Sequence, residues 1–250
     1  MAKQFDNTLS DAQATTVVPV KPADFDFDRY EAYCNELNAG CEAFWKSNSG
    51  VMVYRRMRVA ECFSYGCRDR ELSLALQLGA LEKSMLFKAD VPNFLEPWYG
   101  IGTIASAFGG DYHWVEGNAP AMKPRFTSID EILACDYKEV AETPIGKHTL
   151  EMIEYFMDQT KGRVPVSFTD MQSPLNIVAS LLPLDSFFMD LMMAPEKVQA
   201  LFDLLSDLTI RFDEKQKALI GDALALPGHG FASSTKWSGL GMSDDNAIMI

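Results

Sequence analysis

The chain has 250 residues, of which 48% are apolar and 23% charged, a balance typical of folded globular proteins rather than disordered ones. Its formal net charge of −13 is spread along the sequence without an acidic run. This charge argues against nucleic acid or an anionic membrane surface as the main partner, although a small anionic substrate in a locally basic pocket remains compatible with it.

The chain carries five cysteines. Their odd number, the chain length and the lack of a signal peptide favour reduced thiols in a cytoplasmic protein. Cys62 and Cys67 lack a second pair with metal-ligand spacing, so we interpret them as structural. Apolar stretches such as residues 177–184 are far shorter than the ~20 residues that cross a bilayer, so we expect a soluble protein.

The first part of the chain predicts helices after a loose start. Residues 1–23 are polar and predict a flexible N-terminal arm, followed by a domain of residues 24–250. Apolar residues at helical spacing predict a helix within residues 24–45. A second helix is predicted after Asp69, whose side chain could cap it. Residues 51–54, between these helices, could form a strand.

The middle of the chain is richer in glycine and proline. Residues 91–97 predict a short strand, and the glycines that follow predict loops. Alternating polar and apolar residues over 112–126 predict an excursion outside the main core. Ser128 with Glu131 three residues later predicts a helix start, as does Thr143 before a proline.

The last part of the chain alternates between helices and short apolar segments. Residues 164–169 predict a strand after a helix that ends at Gly162, and Pro195 opens the longest predicted helix. The segments 224–227 and 247–250 predict two further strands. This alternation is typical of β/α units around a parallel sheet.

The predicted fold class is α/β, a (β/α)8 TIM barrel with N-terminal helices. Only about four or five strands are predicted, so we expect the barrel to be truncated before closure. An open, doubly wound sheet is the alternative. It is disfavoured because the Gly100–Gly102 pair lacks the third glycine and the following helix of a phosphate-binding fingerprint.

Reactive groups in β/α barrels lie in the loops after the carboxyl ends of the strands. Polar residues expected in such loops are Asp90, Asp170 and His229 as catalytic candidates, and Gln172, Asp244 and Asp245 as substrate-binding candidates. A loop histidine is a candidate for proton transfer, and adjacent carboxylates that face one pocket would supply an acid–base group.

Structural alternatives exist for several of these residues. Asp90 could cap a helix or lie on the surface, and Asp170 could cap the helix that begins near Pro174. His113 and His148 lie on the predicted excursion and in a first helical turn, so we interpret both as structural.

Several separated segments resemble the uroporphyrinogen decarboxylase superfamily. They are residues 168–175 (FTDMQSPL), 190–198 (DLMMAPEKV) and 239–247 (GLGMSDDNA). Residues 89–92 (ADVP) and 100–109 (GIGTIASAFG) place the resemblance nearest to the branch that contains the corrinoid-dependent methyltransferases.

The resemblance implies a barrel whose mouth binds a tetrapyrrole-like substrate or a corrinoid protein. It implies methyl transfer between a corrinoid and a zinc-bound thiol, and it places Asp90 near the family's essential aspartate. The zinc ligands would be His and Cys residues of later strands, which are expected beyond Ile250. A homo-oligomer is also compatible with the sequence.

Metal-independent decarboxylation of uroporphyrinogen or a related polycarboxylate is the main alternative. Arg55, Arg56 and Arg58 do not match the arginine-rich loop of the true decarboxylases, and Ser180 stands near the position of their tyrosine. This alternative needs no cofactor and predicts that one of these arginines shares a cavity with Asp90. A non-catalytic binding barrel is a third alternative, and it predicts an apolar-filled cavity.

A barrel that ends before closure leaves an unpaired strand edge. We expect that edge at residues 246–250, or at 224–227 if the last segment is unpaired. The chain made alone is therefore predicted to be aggregation-prone, or stable only as an oligomer. Size-exclusion chromatography with a urea melt is the test. A monodisperse monomer with one cooperative transition would contradict both the truncation and the barrel.

Overall fold

The computed structural model describes residues 17–47, 49–87, 89–228 and 232–238. The helices in these ranges are α1 Phe27–Ser47, α2 Arg70–Ser84, α3 Ile129–Leu133, α4 Pro144–Thr160, α5 Pro174–Val178, α6 Leu184–Met193 and α7 Pro195–Ile220. Two short strands, β1 Tyr112–His113 and β2 Ala121–Met122, form an antiparallel hairpin. None of the helices within the described ranges is long and apolar enough to cross a membrane.

The predicted helix starts are confirmed by their capping contacts. Asp69 accepts hydrogen bonds from two backbone N–H groups in the first turn of α2, both at 3.0 Å. Ser128 accepts from the N–H of Glu131 at 3.3 Å, where α3 begins. Thr143 accepts from the N–H of Gly146 at 2.9 Å, where α4 begins. Each side chain thus satisfies N–H groups that the helix itself leaves unpaired.

The longest helix, α7, begins at Pro195 as predicted. Most of its predicted apolar stripe is buried, and only Phe202 is partly exposed. The buried members of the stripe are Val198, Leu201, Leu205, Leu208 and Phe212. The regular spacing of these side chains fixes which side of α7 faces away from water.

Three apolar segments pair in parallel, and the segment that contains Val166 lies between the other two. Val166 forms isolated bridges to Leu95 and to Leu224. The N–H of Leu95 donates to the carbonyl of Pro165 at 2.8 Å, and the N–H of Ala225 donates to the carbonyl of Val166 at 2.9 Å. The segments 93–97, 164–168 and 223–228 are termed the parallel ladder below.

The strands predicted at 91–97, 164–169 and 224–227 are confirmed only at these paired positions. Prolines at the ends of the segments explain the short pairing, because proline has no N–H to donate to a ladder. They are Pro92, Pro97, Pro165 and Pro227. The strand considered for residues 51–54 is wrong, since that segment is irregular, and residues 247–250 lie outside the described residues.

The contacts of the chain divide it into two compact units. Of the described residues, the first unit takes in those within 17–98, Met152–Thr169 and those within 219–238, and the second takes in Tyr99–Glu151 and Asp170–Ala218. The first contains α1, α2 and the parallel ladder, and the second contains the hairpin, α3, α5 and α6. The domain predicted for residues 24–250 is thus shared between two units.

The start of the described chain packs against α2 in the first unit. Val17 is buried in a cluster with Met57, Leu76 and other apolar side chains. The N–H of Val20 donates to the carbonyl of Ala75 at 2.8 Å. Residues 17–20 are therefore fixed, and the flexible arm predicted for residues 1–23 is wrong for this part, because Val17 is buried in an apolar cluster with α2 and Val20 is hydrogen-bonded to that helix.

The hairpin in the second unit packs onto the glycine-rich loop that precedes it. Tyr112 of β1 is buried, and its hydroxyl accepts a hydrogen bond from the N–H of Gly102 at 2.8 Å. Gly100 has a φ of +90°, and a Cβ there would lie 2.7 Å from the Tyr112 ring. The excursion predicted for residues 112–126 therefore begins with a side chain inside this unit, rather than outside the core.

Gly79→Ala in α2 is expected to lower the free energy of unfolding. A Cβ at Gly79 would lie 2.0 Å from the carbonyl oxygen of Val18, so residues 17–20 would have to move. Overpacking of this kind costs about 1–3 kcal/mol, which urea unfolding would measure.

The matched control is Gly40→Ala in α1, where nothing lies within 4 Å of the added Cβ. Helix propensity alone should raise the stability of this variant by about 0.5–1 kcal/mol. Equal stability of the two variants would contradict the close packing of the N-terminal segment on α2.

Candidate functional site

A cavity of about 460 Å³ lies mainly at the amino ends of the parallel ladder, beside α1. Its polar lining is already engaged. Arg163 contacts Glu31 at 2.7 Å, and Glu42 accepts hydrogen bonds from the N–H and the hydroxyl of Thr235 at 2.6 and 3.0 Å. Because reactive groups of β/α barrels lie at the opposite, carboxyl ends of the strands, we interpret this cavity as structural.

Asp90 precedes its ladder segment, so its predicted place after a strand is wrong. Its carboxylate accepts a hydrogen bond from the N–H of Val53 at 2.7 Å, and its N–H donates to the carbonyl of Val53 at 3.2 Å. The exposed Asp90 thereby holds the irregular segment of residues 51–54 in place. Asp90 also lines a cavity of about 300 Å³, together with Glu36, Phe44 and other residues of α1 and with residues 51 and 52.

The three arginines of residues 55–58 are engaged with other side chains. Arg56 forms an ion pair with Glu96 at 2.7 Å. Arg55 lies over the ring of Phe87 at 4.7 Å, and Arg58 lies over that of Phe63 at 3.7 Å. None of the three is among the residues around the Asp90 cavity. The convergence that polycarboxylate decarboxylation predicts is therefore not found among the described residues.

The pair of Arg56 and Glu96 is buried immediately after the paired position Leu95. Their side chains are 13% and 6% exposed. Gln77 of α2 fixes the backbone of Glu96, because its amide donates to the carbonyl at 2.9 Å and accepts from the N–H at 2.7 Å. Burial alone would lower the pKa of Arg56, but the charge of Glu96 and the hydrogen bond between the two side chains raise it above its ordinary value.

Asp170 follows the ladder segment 164–168 closely, as predicted, and stands at its carboxyl end. Its Oδ1 accepts hydrogen bonds from Gln172, at 2.6 Å from the side-chain amide and at 3.3 Å from the backbone N–H. The amide oxygen of Gln172 accepts in turn from Asn176 at 2.9 Å. Asp170 does not cap α5, whose N-cap is Ser173. The structure therefore brings two predicted site residues, Asp170 and Gln172, into contact.

Three further candidates, His229, Asp244 and Asp245, lie outside the described residues, so their place in the site remains a prediction. The interpretation of His148 as structural agrees with its stacking on Tyr99, with ring centroids 3.7 Å apart. His113 is exposed at the end of β1.

Four of the five described cysteines are poor candidates for a metal or a nucleophile. Burial raises the pKa of the Cys34, Cys62 and Cys67 thiols to about 12 and that of Cys41 to about 11. These thiols stay protonated near neutral pH, whereas metal binding and nucleophilic attack need the thiolate. Across the described ranges no group of three or more His, Cys, Asp or Glu side chains could hold a metal ion.

Asp213 on α7 is a buried carboxyl group that the sequence did not single out. Its Oδ1 has no hydrogen-bond partner among the described residues, and burial raises its pKa to about 7. Asn176 of α5 was also missed, because its partner Gln172 precedes the helix and has a left-handed φ of +64°.

Glu96→Gln is expected to destabilise the fold, because it leaves the Arg56 guanidinium buried without its counter-charge. Breaking one partner of a buried pair costs about 3–5 kcal/mol, measurable by urea unfolding. The double variant Arg56→Met/Glu96→Gln should recover most of this loss. If the double variant is as unstable as Glu96→Gln alone, the unpaired charge is not the cause.

Comparison with known proteins identifies the family. A sequence model described as uroporphyrinogen decarboxylase (URO-D) matches residues 49–229. No curated protein sequence matches this chain. Among solved structures, a methyltransferase from Methanosarcina mazei is similar, with a TM-score of 0.56 and 15% identity over 73% of this chain and 56% of that protein.

The structural likeness shows the fold alone at this identity, and the chain spans just over half the length of that methyltransferase. The family and this structure imply a TIM-barrel type of fold, in which neighbouring strands run parallel as in the ladder. Closure of an eight-stranded barrel is not seen in the residues that the structure describes. The family segment covers well over half of the sequence, and the chain therefore belongs to the uroporphyrinogen decarboxylase family.

Proposed function

We propose that this chain is a methyltransferase-like enzyme that transfers a methyl group between a corrinoid and a thiol. The family and the fold it shares with a methyltransferase support an enzyme-like role of this general kind. One observation carries the choice of reaction. Arg55, Arg56 and Arg58 are the cationic side chains that could bind substrate carboxylates, and all three already contact other side chains of the protein.

Uroporphyrinogen is a polycarboxylate, so its decarboxylation requires cations that can bind carboxylates in the site. Arg56 already has the carboxylate of Glu96 and lies over the ring of Phe94 at 4.1 Å. A substrate carboxylate would have to displace Glu96 from a buried pair, which is costly. A methyl group carries no charge, and its transfer makes no such demand on these arginines.

The proposed reaction forms a carbon–sulfur bond and breaks a cobalt–carbon bond. The thiol sulfur supplies the electron pair of the new bond, the pair of the broken bond stays on the corrinoid, and the thiol proton is released. Asp170 is a described carboxylate that follows a ladder segment and is held by Gln172, whereas Glu96 is already paired with Arg56. We assign it the role of receiving or relaying that proton.

The other site residues remain part of the proposal. His229, Asp244 and Asp245 are proposed to line the same mouth. Asp90 remains a candidate site group, although its carboxylate already holds Val53.

Zinc, which the family resemblance implies, does not fit the described residues. They offer no set of three ligands, and the pKa values of the buried thiols are high. A zinc site would need ligands outside these residues, so no step above depends on it. Metal analysis of the protein purified without chelators shows whether zinc is bound in stoichiometric amount.

The reaction is tested with methylcobalamin and 2-mercaptoethanol as probes. Formation of the methyl thioether, together with the spectral change of the demethylated corrinoid, would support the proposal. Release of CO2 from uroporphyrinogen without any methyl transfer would instead support the decarboxylase. Neither reaction, with methylcobalamin still bound, would support the non-catalytic binding barrel.

Asp170→Asn is predicted to lower kcat for methyl transfer by roughly 100-fold, because general acid–base groups contribute about 10²–10⁴-fold. Asp158→Asn is the control, since Asp158 is an exposed carboxylate on α4 that pairs with Lys161 at 2.9 Å. Steady-state kinetics of both variants make the comparison. Equal activity of Asp170→Asn and the unmodified chain would remove Asp170 from the mechanism.

A further inference from the structure

A chain of hydrogen bonds runs from α5 to the carboxylate at the ladder end. Asn176 donates from Nδ2 to Oε1 of Gln172 at 2.9 Å, and Gln172 donates from Nε2 to Oδ1 of Asp170 at 2.6 Å. Both ends of the Gln172 amide are thus engaged with protein. This differs from a substrate-binding residue, which would direct its amide at the ligand.

The carboxylate of Asp170 fixes the direction of this chain, because its oxygens can only accept hydrogen bonds. An amide side chain has a donor end and an acceptor end, and these can exchange by a half rotation. The donor end of Gln172 therefore turns toward Asp170, and its acceptor end turns toward Asn176, which donates to it from Nδ2. A rotated Gln172 would place its oxygen against the Asp170 carboxylate, where two acceptors repel.

The surrounding backbone holds these groups in place. Gln172 has a φ of +64°, a left-handed conformation that is strained for a residue with a side chain. Asn176 is 9% exposed, and Ser173 caps its helix. Met171, 1% exposed, accepts a hydrogen bond at its Sδ from the buried Gln216 of α7 at 3.2 Å.

We propose that Gln172 and Asn176 are positioning residues, which orient the carboxylate of Asp170 for the proton transfer rather than contacting the substrate. This inference rests on the proposed function for its kinetic consequence, but the hydrogen-bond chain itself does not. The left-handed backbone of Gln172 directs its side chain toward Asp170, with which it forms the hydrogen bond described above.

The first test needs no activity. The side-chain amide signals of Gln172 and Asn176 are assigned in the NMR spectrum of the full chain by Gln172→Ala and Asn176→Ala. Asp170→Asn and Asn176→Ala should each shift the Nε2 amide signals of Gln172. An unchanged Gln172 signal in Asn176→Ala would overturn the inference, whether or not the chain transfers methyl groups.

The second test is kinetic. Asn176→Asp keeps the shape of the side chain but removes the donor, so kcat for methyl transfer should fall by roughly 10–100-fold with little change in KM. In the Asp170→Asn background the same substitution should have no further effect. An equal loss of kcat in both backgrounds would show a merely structural role.

The control is Gln159→Ala, which removes a similar amide–carboxylate contact, at 3.0 Å to Asp158 on α4. Its kcat and KM should match those of the unmodified chain. If the unmodified chain shows no methyl transfer, the proposed function fails and the NMR result alone decides the positioning inference. Asn176→Ala serves as a second kinetic variant if Asn176→Asp does not fold.

Discussion

The pairing of Val166 with two neighbours is the constraint on which the candidate site depends. Leu95 and Leu224 bridge to Val166 from either side, so the three segments run parallel to one another. Glu96 follows Leu95 directly, and Asp170 follows Val166 by four residues. Prolines at the ends of these segments limit the pairing to a few hydrogen bonds, which leaves the following residues free to form the loops of a site.

Internal pairing of buried charges limits what Arg56 can bind. A guanidinium that is desolvated beside its own carboxylate is stable as a pair, but it is a poor receptor for a further anion. Arg56 and Glu96 are in this state, and Gln77 fixes the backbone that carries Glu96. The orientation of Asp170 by Gln172 follows the same rule, because a half-buried carboxylate requires donors that are already in place.

The sequence predicted the local features well and the long-range features less well. The caps Asp69, Ser128 and Thr143 depend on a few adjacent residues, and all three were found in advance. The place of Asp90 was wrong because it depends on where a strand begins, which apolar content alone does not fix. Asn176 was missed because its contact requires the left-handed φ of Gln172, which no spacing rule predicts for a glutamine.

Asp213 couples folding of the chain to the uptake of one proton by its own carboxyl group. Its carboxyl group has an ordinary pKa of 3.8, which burial raises to about 7 in the folded chain. Between these two values the folded chain keeps a proton that the unfolded chain has lost. The contribution of this group to stability is therefore complete in acid, decreases as the pH rises toward 7, and is lost above it. Acidification within this range would consequently stabilise the fold through the carboxyl group of Asp213.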